Sequence, residues 1–217
     1  MDNIVNKTLD EISIDGCNIN FEHLFPTTIY SSKLSDKTVE TIQKELDVVF
    51  FDLKSKNKFK KHEKWNTHLL SDPSFTENLL SQYQTQFFQQ EIKKHIIMYL
   101  IGLQASHLYE NLNYKIKESW MTLAYKGDYA HAHSHGTADI SGVYYYKTAG
   151  IDGSLYFPPL NTGIDSSYIL NHTAKFHTIL PETGKLVLFP GNLTHGVETN
   201  TTDNERVSVS FNVYIDR

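Results

Sequence analysis

From Trp120 onward the chain consists of short runs rich in β-branched and aromatic residues: 120–125, 140–147, 155–157, 174–180, 185–189 and 206–215. Clusters of Gly, Asn, Asp and Pro separate them, and no helical period lies between. Strands strung together this way argue for antiparallel sheet, folded as a sandwich, jelly roll or barrel.

The first half reads differently. Residues 1–20 lack periodicity and are expected to form an irregular lead-in. Phe25–Tyr30 reads as a short strand, with Pro26 near its start where a missing N–H is tolerated. Ser35 is placed to cap a helix beginning at Asp36, with Val39, Ile42, Leu46 and Val49 on one face. The lysine-rich stretch Lys54–Lys64 reads as a solvated loop. Asp72-Pro73 announces a second helix running to about Gly102, with Phe75, Leu79, Tyr83, Phe87, Ile92, Ile96 and Leu100 available for burial. Roughly thirty residues would be long for one helix, so a kink or a further helix is expected near Gln89. The expected fold is mainly β with N-terminal helices: one domain over 21–217, helical support at 35–105 and a β core at about 118–217.

Composition removes several alternatives. The formal net charge of −5 carries no nucleic-acid footprint. A single cysteine, Cys17, excludes a disulfide framework and any multi-cysteine metal site, and fits a reducing, cytoplasmic setting. The longest apolar run, Ile96–Leu103, is too short to span a bilayer, and the polar, acidic Met1–Asp10 is not a secretory signal. Without such a signal, the Asn171-His-Thr and Asn192-Leu-Thr triplets read as coincidence.

Histidine is the outlier, with eleven in the chain and three of them at 131, 133 and 135. Imidazole is the commonest metal ligand. In an extended Tyr129–His135 the three rings would share a face, and two neighbours there could offer nitrogens to one ion. A third ligand must come from elsewhere, and His195, a few residues after the Pro190-Gly191 turn, is the best placed. An HxHxH run alone is also met in exposed polar strands. Arg206 heads the last strand, sharing a face with Ser208 and Ser210, while Val207, Val209 and Phe211 share the other and look like core. A guanidinium turned into a barrel needs a partner, and a ligand carboxylate is the natural one. A surface acid such as Asp203 is the competing partner.

At this point the residues resemble a known family. Trp120, the Gly127–His135 stretch, Ile140-Ser-Gly-Val-Tyr-Tyr145, Gly153-Ser-Leu-Tyr-Phe157, Gly184–Pro190, His195-Gly-Val and Glu205–Asn212 follow one another as in the iron(II)/2-oxoglutarate oxygenases, especially a group of small bacterial and phage members. Phe25–Tyr30 resembles that group's opening. The resemblance implies a double-stranded β-helix (jelly-roll) core, iron(II) as metal and 2-oxoglutarate as co-substrate. It assigns His133, His135 and His195 to the metal, and Arg206 with Ser208 to the distal carboxylate of 2-oxoglutarate, helped by Tyr144 or Tyr145. His131 receives no role. The aromatic residues Tyr144, Tyr146, Tyr156 and Phe157 are expected to line or support the pocket.

The implied activity is hydroxylation of a C–H bond in a small-molecule or peptide substrate, with release of succinate and CO2. His135 stands where most of the superfamily carries Asp or Glu; Asp139 is the nearest carboxylate that would replace it. Two other functions fit the residues: a three-histidine dioxygenase that does not use 2-oxoglutarate, and a non-catalytic jelly-roll binding module.

Overall fold

The computed structural model describes residues 27–61, 68–105, 108, 112–159 and 176–216. The expected lead-in 1–20, Cys17, Asn171, the start of the expected strand 25–30 and the first residues of the expected strand 174–180 lie outside them.

Apolar residues at helical spacing form α1, Asp36–Ser55, which buries Val39, Ile42, Leu46, Val49 and Leu53. Its N-cap is Ser35, whose Oγ accepts the Thr38 N–H at 3.3 Å. The second helix departs from expectation. Asp72 does gather backbone donors, accepting from Ser74 (3.0 Å), Thr76 (2.7 Å) and Glu77 (2.7 Å). It closes a loop with them rather than starting a helix, because Phe75 takes a left-handed φ of 55° that no helix continues through. The helices come later, as α2 (Leu79–Gln82) and α3 (Gln86–Gly102), broken at 83–85 rather than near Gln89. The Glu45 carboxylate accepts the Phe87 and Phe88 N–H groups at 3.0 and 2.9 Å, so α1 satisfies the start of α3.

Among the described residues, eleven strands follow the sequence: β1 (Tyr30–Lys33), β2 (Lys60–Lys61), β3 (Leu69–Leu70), β4 (Tyr114–Ala124), β5 (Ala130–His133), β6 (Ile140–Lys147), β7 (Leu155–Phe157), β8 (His177–Ile179), β9 (Lys185–Pro190), β10 (His195–Val197) and β11 (Arg206–Ile215). They form a seven-stranded sheet in the order β1-β9-β6-β11-β4-β3-β2 and a four-stranded sheet in the order β5-β10-β7-β8. The named pairs are antiparallel. β6, β7 and β11 match the expected strands. β4 begins six residues before Trp120, β1 starts where the expected strand 25–30 ends, and part of the lysine-rich stretch forms the exposed edge strand β2.

The two faces of the large sheet serve different cores. Val207, Val209 and Phe211 of β11 join Tyr144 and Tyr146 of β6 and the buried residues of α1 and α3 in one cluster. Tyr145 of β6 and Val187 and Phe189 of β9 face the small sheet, meeting Leu155 and Phe157 of β7. The result is a jelly roll with helices covering the outer face of its larger sheet. The pocket lies between the sheets, on the face where side chains alternate away from the helix-packed core.

Candidate metal centre

His133 and His195 are directly opposed in the β5–β10 pairing. Beyond them the register slips. Val197 pairs with Ala130, so three steps of β5 span two of β10. This bulge breaks strict alternation. His131, expected to share a face with its neighbours, is exposed and meets Tyr129 edge to face at 4.8 Å. β5 ends at His133, and His135 lies beyond it, its N–H donated to the Gly191 carbonyl at 2.8 Å.

The other three rings converge. Centroids are 4.5 Å apart for His133–His195, 4.9 Å for His135–His195 and 5.3 Å for His133–His135. One ring nitrogen from each lies within 4.8 Å of the others, so the three make a candidate metal-binding group. Each ring is also pinned through Nδ1. That of His133 meets the His131 carbonyl at 2.7 Å, and that of His195 the Leu193 carbonyl at 2.9 Å. That of His135 meets Asn212 Oδ1 at 2.7 Å and Ser141 Oγ at 2.8 Å. Carbonyl oxygens only accept, so these Nδ1 atoms carry the proton and each Nε2 keeps its lone pair. A metal-ligating histidine is oriented in the same manner by a partner on its other nitrogen.

Burial reinforces this. It pulls all three rings below the ordinary histidine pKa, to about 4 for His135 and about 3 for His195, where the neighbouring rings add to the effect. The rings are therefore neutral at pH 7, the form that binds metal. Asp139 is engaged elsewhere, its carboxylate accepting the Ile215 N–H at 2.8 Å. The cluster at the site contains His135, not Asp139.

The rings open into a cavity of about 70 Å³ that Tyr145, Arg206, Ser208 and Ser210 also line. Arg206 is only 4% exposed. Its Nη1 donates to the main-chain carbonyls of Asp152 and Gly153, the latter at 3.1 Å. The surface acids have other partners: Asp203 is 3.0 Å from Lys126 and Glu205 2.6 Å from Lys54. Among the described residues no carboxylate forms a salt bridge with the guanidinium. A buried cation held only by carbonyls suits an incoming anion.

Of the two candidate tyrosines, Tyr145 lines the cavity, paired across from Ser208. Tyr144 is turned to the helices, its ring 4.8 Å from Phe88. Adjacent strand residues point to opposite faces, so only one of the pair can reach the pocket. Tyr146 also faces the helices and bonds Asp47. Phe157 lies beside His195 at 6.2 Å, whereas Tyr156 meets Phe176 edge to face at 5.8 Å.

Two contributors had no expected role. Asn212 closes the quoted motif as the holder of His135. His68 lines the cavity, buried, with Nδ1 2.9 Å from the Tyr129 carbonyl and a pKa lowered by burial to about 4. Asn212 follows Ser210 at strand spacing and so faces the same side, a signal open to inspection. His68 carries none.

Residues 118–212 match a protein-family model described as "Putative 2OG-Fe(II) oxygenase". No curated protein matches the chain. Solved structures with a similar fold include a Pseudomonas putida prolyl-4-hydroxylase, at 15% identity and a TM-score of 0.56, covering 88% of this chain and 93% of that one. The carbocyclase SnoK from nogalamycin biosynthesis matches at 12% identity and a TM-score of 0.58, covering 88% and 80%. HygX from Streptomyces hygroscopicus, solved with nickel, 2-oxoglutarate and hygromycin B, matches at 12% and 0.51, covering 86% and 82%. At these identities the likeness is one of fold. The stretch that carries the three imidazoles and the buried arginine is thus the part of the chain that matches this family model.

Proposed function

We propose that the protein is an iron(II)- and 2-oxoglutarate-dependent hydroxylase of a small-molecule or peptide substrate, working in the cytoplasm. His133, His135 and His195 hold the iron through Nε2. Arg206 and Ser208 hold the distal carboxylate of 2-oxoglutarate, with Tyr145 closing that end of the cavity. When bound, iron and 2-oxoglutarate together supply O2-dependent oxidation of a C–H bond, yielding succinate and CO2.

The residues fit these groups. Three neutral imidazoles leave the full charge of the metal in place, and the doubly negative co-substrate offsets it. Imidazole donors suit iron, and three protein ligands leave positions open for other groups. The protein's own part is to fix ring tautomers through main-chain carbonyls and Asn212, and to bury the anion site so that its charge is little screened. The observation that carries the reading is the shared cavity: three pinned rings and an arginine without a carboxylate partner among the described residues line the same space.

Anaerobic titration with iron(II) and then 2-oxoglutarate tests it. A visible charge-transfer band at stoichiometric iron is expected, absent in His195→Ala, with succinate formed on admitting O2. O2 consumption independent of 2-oxoglutarate would replace this reading with a three-histidine dioxygenase. Absence of iron binding would reduce the protein to a binding module.

A further inference from the structure

A second cavity, of about 270 Å³, lies against the metal centre. It shares Phe75, Trp120, His133 and His135 with the cavity that holds Arg206, and then runs the other way, to Glu118, Asn212 and Tyr214. Its walls are aromatic, and its one acid is unusual. Glu118 Oε2 is buried without a hydrogen-bond partner. Its neighbour Tyr214 has a pKa raised by burial first, then by the charge of Glu118 and a hydrogen bond between the two side chains, so it is the Oε2 atom alone that is left without a donor. A carboxylate oxygen kept from water and left without a donor is costly unless something arrives to fill the place.

The aromatic wall is built deliberately. Trp120 and Phe75 meet edge to face with centroids 4.9 Å apart, and Trp120 meets His135 at 5.5 Å. Phe75 is carried on the left-handed residue of the loop that Asp72 closes with three backbone N–H bonds. A non-glycine residue held at positive φ is a strain that the surrounding bonds must over-determine, and it fixes where the ring stands. Tyr214 already accepts a cation on its ring, with Lys117 Nζ 4.2 Å from the centroid. Faces of Trp and Tyr beside a carboxylate oxygen are complementary to a positively charged nitrogen, through ring quadrupole and charge together.

We infer that this cavity is the substrate site and that it selects a substrate bearing an ammonium or guanidinium group, received by Glu118 between Trp120 and Tyr214. The inference rests on the oxygenase reading, since it takes the metal centre at His133 and His135 as the place of reaction. Glu118 is a specificity-determining residue, and the bond to be oxidised lies on the part of the substrate that reaches past Trp120 to the histidines.

The test uses paired probes on the full-length protein loaded with iron(II) and 2-oxoglutarate without O2. N-acetyl-lysine amide is compared with N-acetyl-norleucine amide, and N-acetyl-arginine amide with N-acetyl-citrulline amide. Each is offered as a single residue and in the middle of a glycine-flanked pentapeptide, so that the two arms separate a small-molecule substrate from a peptide one. Binding is read by calorimetry. At least one charged member is expected to bind about tenfold or more tighter than its neutral partner. That preference should vanish in Glu118→Gln and persist in part in Glu118→Asp. Equal binding within every pair, no binding by any charged probe, or a preference unchanged in Glu118→Gln would overturn it. The charge-transfer band of the wild-type protein reports the underlying reading separately. Its absence would sink the oxygenase, whereas its presence without a cation preference would sink this inference alone.

Discussion

Replacing Arg206 by lysine keeps the charge and removes the fork. The guanidinium has five N–H donors in a plane, and its bonds among the described residues run only from Nη1, to the carbonyls of Asp152 and Gly153. Nε and Nη2 are left for a carboxylate. Lysine presents a single ammonium, which cannot serve both carbonyls and an incoming anion in the same geometry. Loss of one charge-assisted hydrogen bond in a buried site costs about 1.5–3 kcal/mol, or roughly 10- to 150-fold in Kd. Iron affinity should be unchanged, because the ring nitrogens are held by His131, Leu193 and Asn212 rather than by the arginine. The assay is the 2-oxoglutarate dependence of the anaerobic charge-transfer absorbance at saturating iron(II), with thermal melting to confirm folding. Arg206→Ala would lose more, but it strands two carbonyls and risks the fold, so lysine is the informative change. A Kd for 2-oxoglutarate within twofold of wild type in a folded Arg206→Lys protein would remove Arg206 from the anion site.

Further predictions follow from the neighbours of that site. A Cβ at Gly153, which has a φ of +100°, would stand 2.5 Å from Arg206 Nη1 and 2.3 Å from the Glu198 carbonyl oxygen. Gly153→Ala should therefore weaken 2-oxoglutarate binding while sparing iron, and equal weakening of both in titrations would contradict this. Asn212→Leu removes one of the two side-chain partners that orient His135, and iron affinity should fall about 10- to 100-fold in competition with a chelator; an unaltered affinity would show that Ser141 with the His131 and Leu193 carbonyls suffices. The metal-free protein should lose stability in acid. His68 and His135 sit at about 4 and His195 at about 3 when folded, against 6.5 for the ordinary side chain. The unfolded chain thus takes up protons first, so stability is intact above pH 6.5 and declines as pH falls from there toward 4. Melting temperatures flat between pH 7 and 4.5 would refute the neutral-ring assignment.

Much of this was legible beforehand, for identifiable reasons. Strands β6, β7 and β11 are bounded by turn residues and carry dense β-branched and aromatic runs, so period and punctuation agree. Helix α1 has both a cap and a stripe. The second helix was misplaced because Asp72-Pro73 carries the same local signal whether a helix or a closed loop follows. The deciding element was the left-handed φ of Phe75, which the local sequence does not announce. Within the site, the expectations for His133, His135, His195, Arg206 and Ser208 came from resemblance together with strand parity, and the structure brings all five to one cavity. Parity alone does not say which face is inward, so Tyr144 and Tyr145 were separable only once β6 was seen between the two cores. Glu118 was not singled out, because nothing local distinguishes a carboxylate facing a cavity from one facing water.

The extra residue in β5 makes the choice of ligand a matter of counting. Between the pairs His133–His195 and Ala130–Val197, three steps of β5 face two of β10, and the exposed His131 offers its carbonyl to His133 Nδ1 while the ring of His133 faces that of His195. Deleting one residue there would restore even spacing and re-aim the strand without altering any ring. Identity at this centre is thus written partly in backbone length, and two sequences with the same histidines in a different tally would offer the ion different partners.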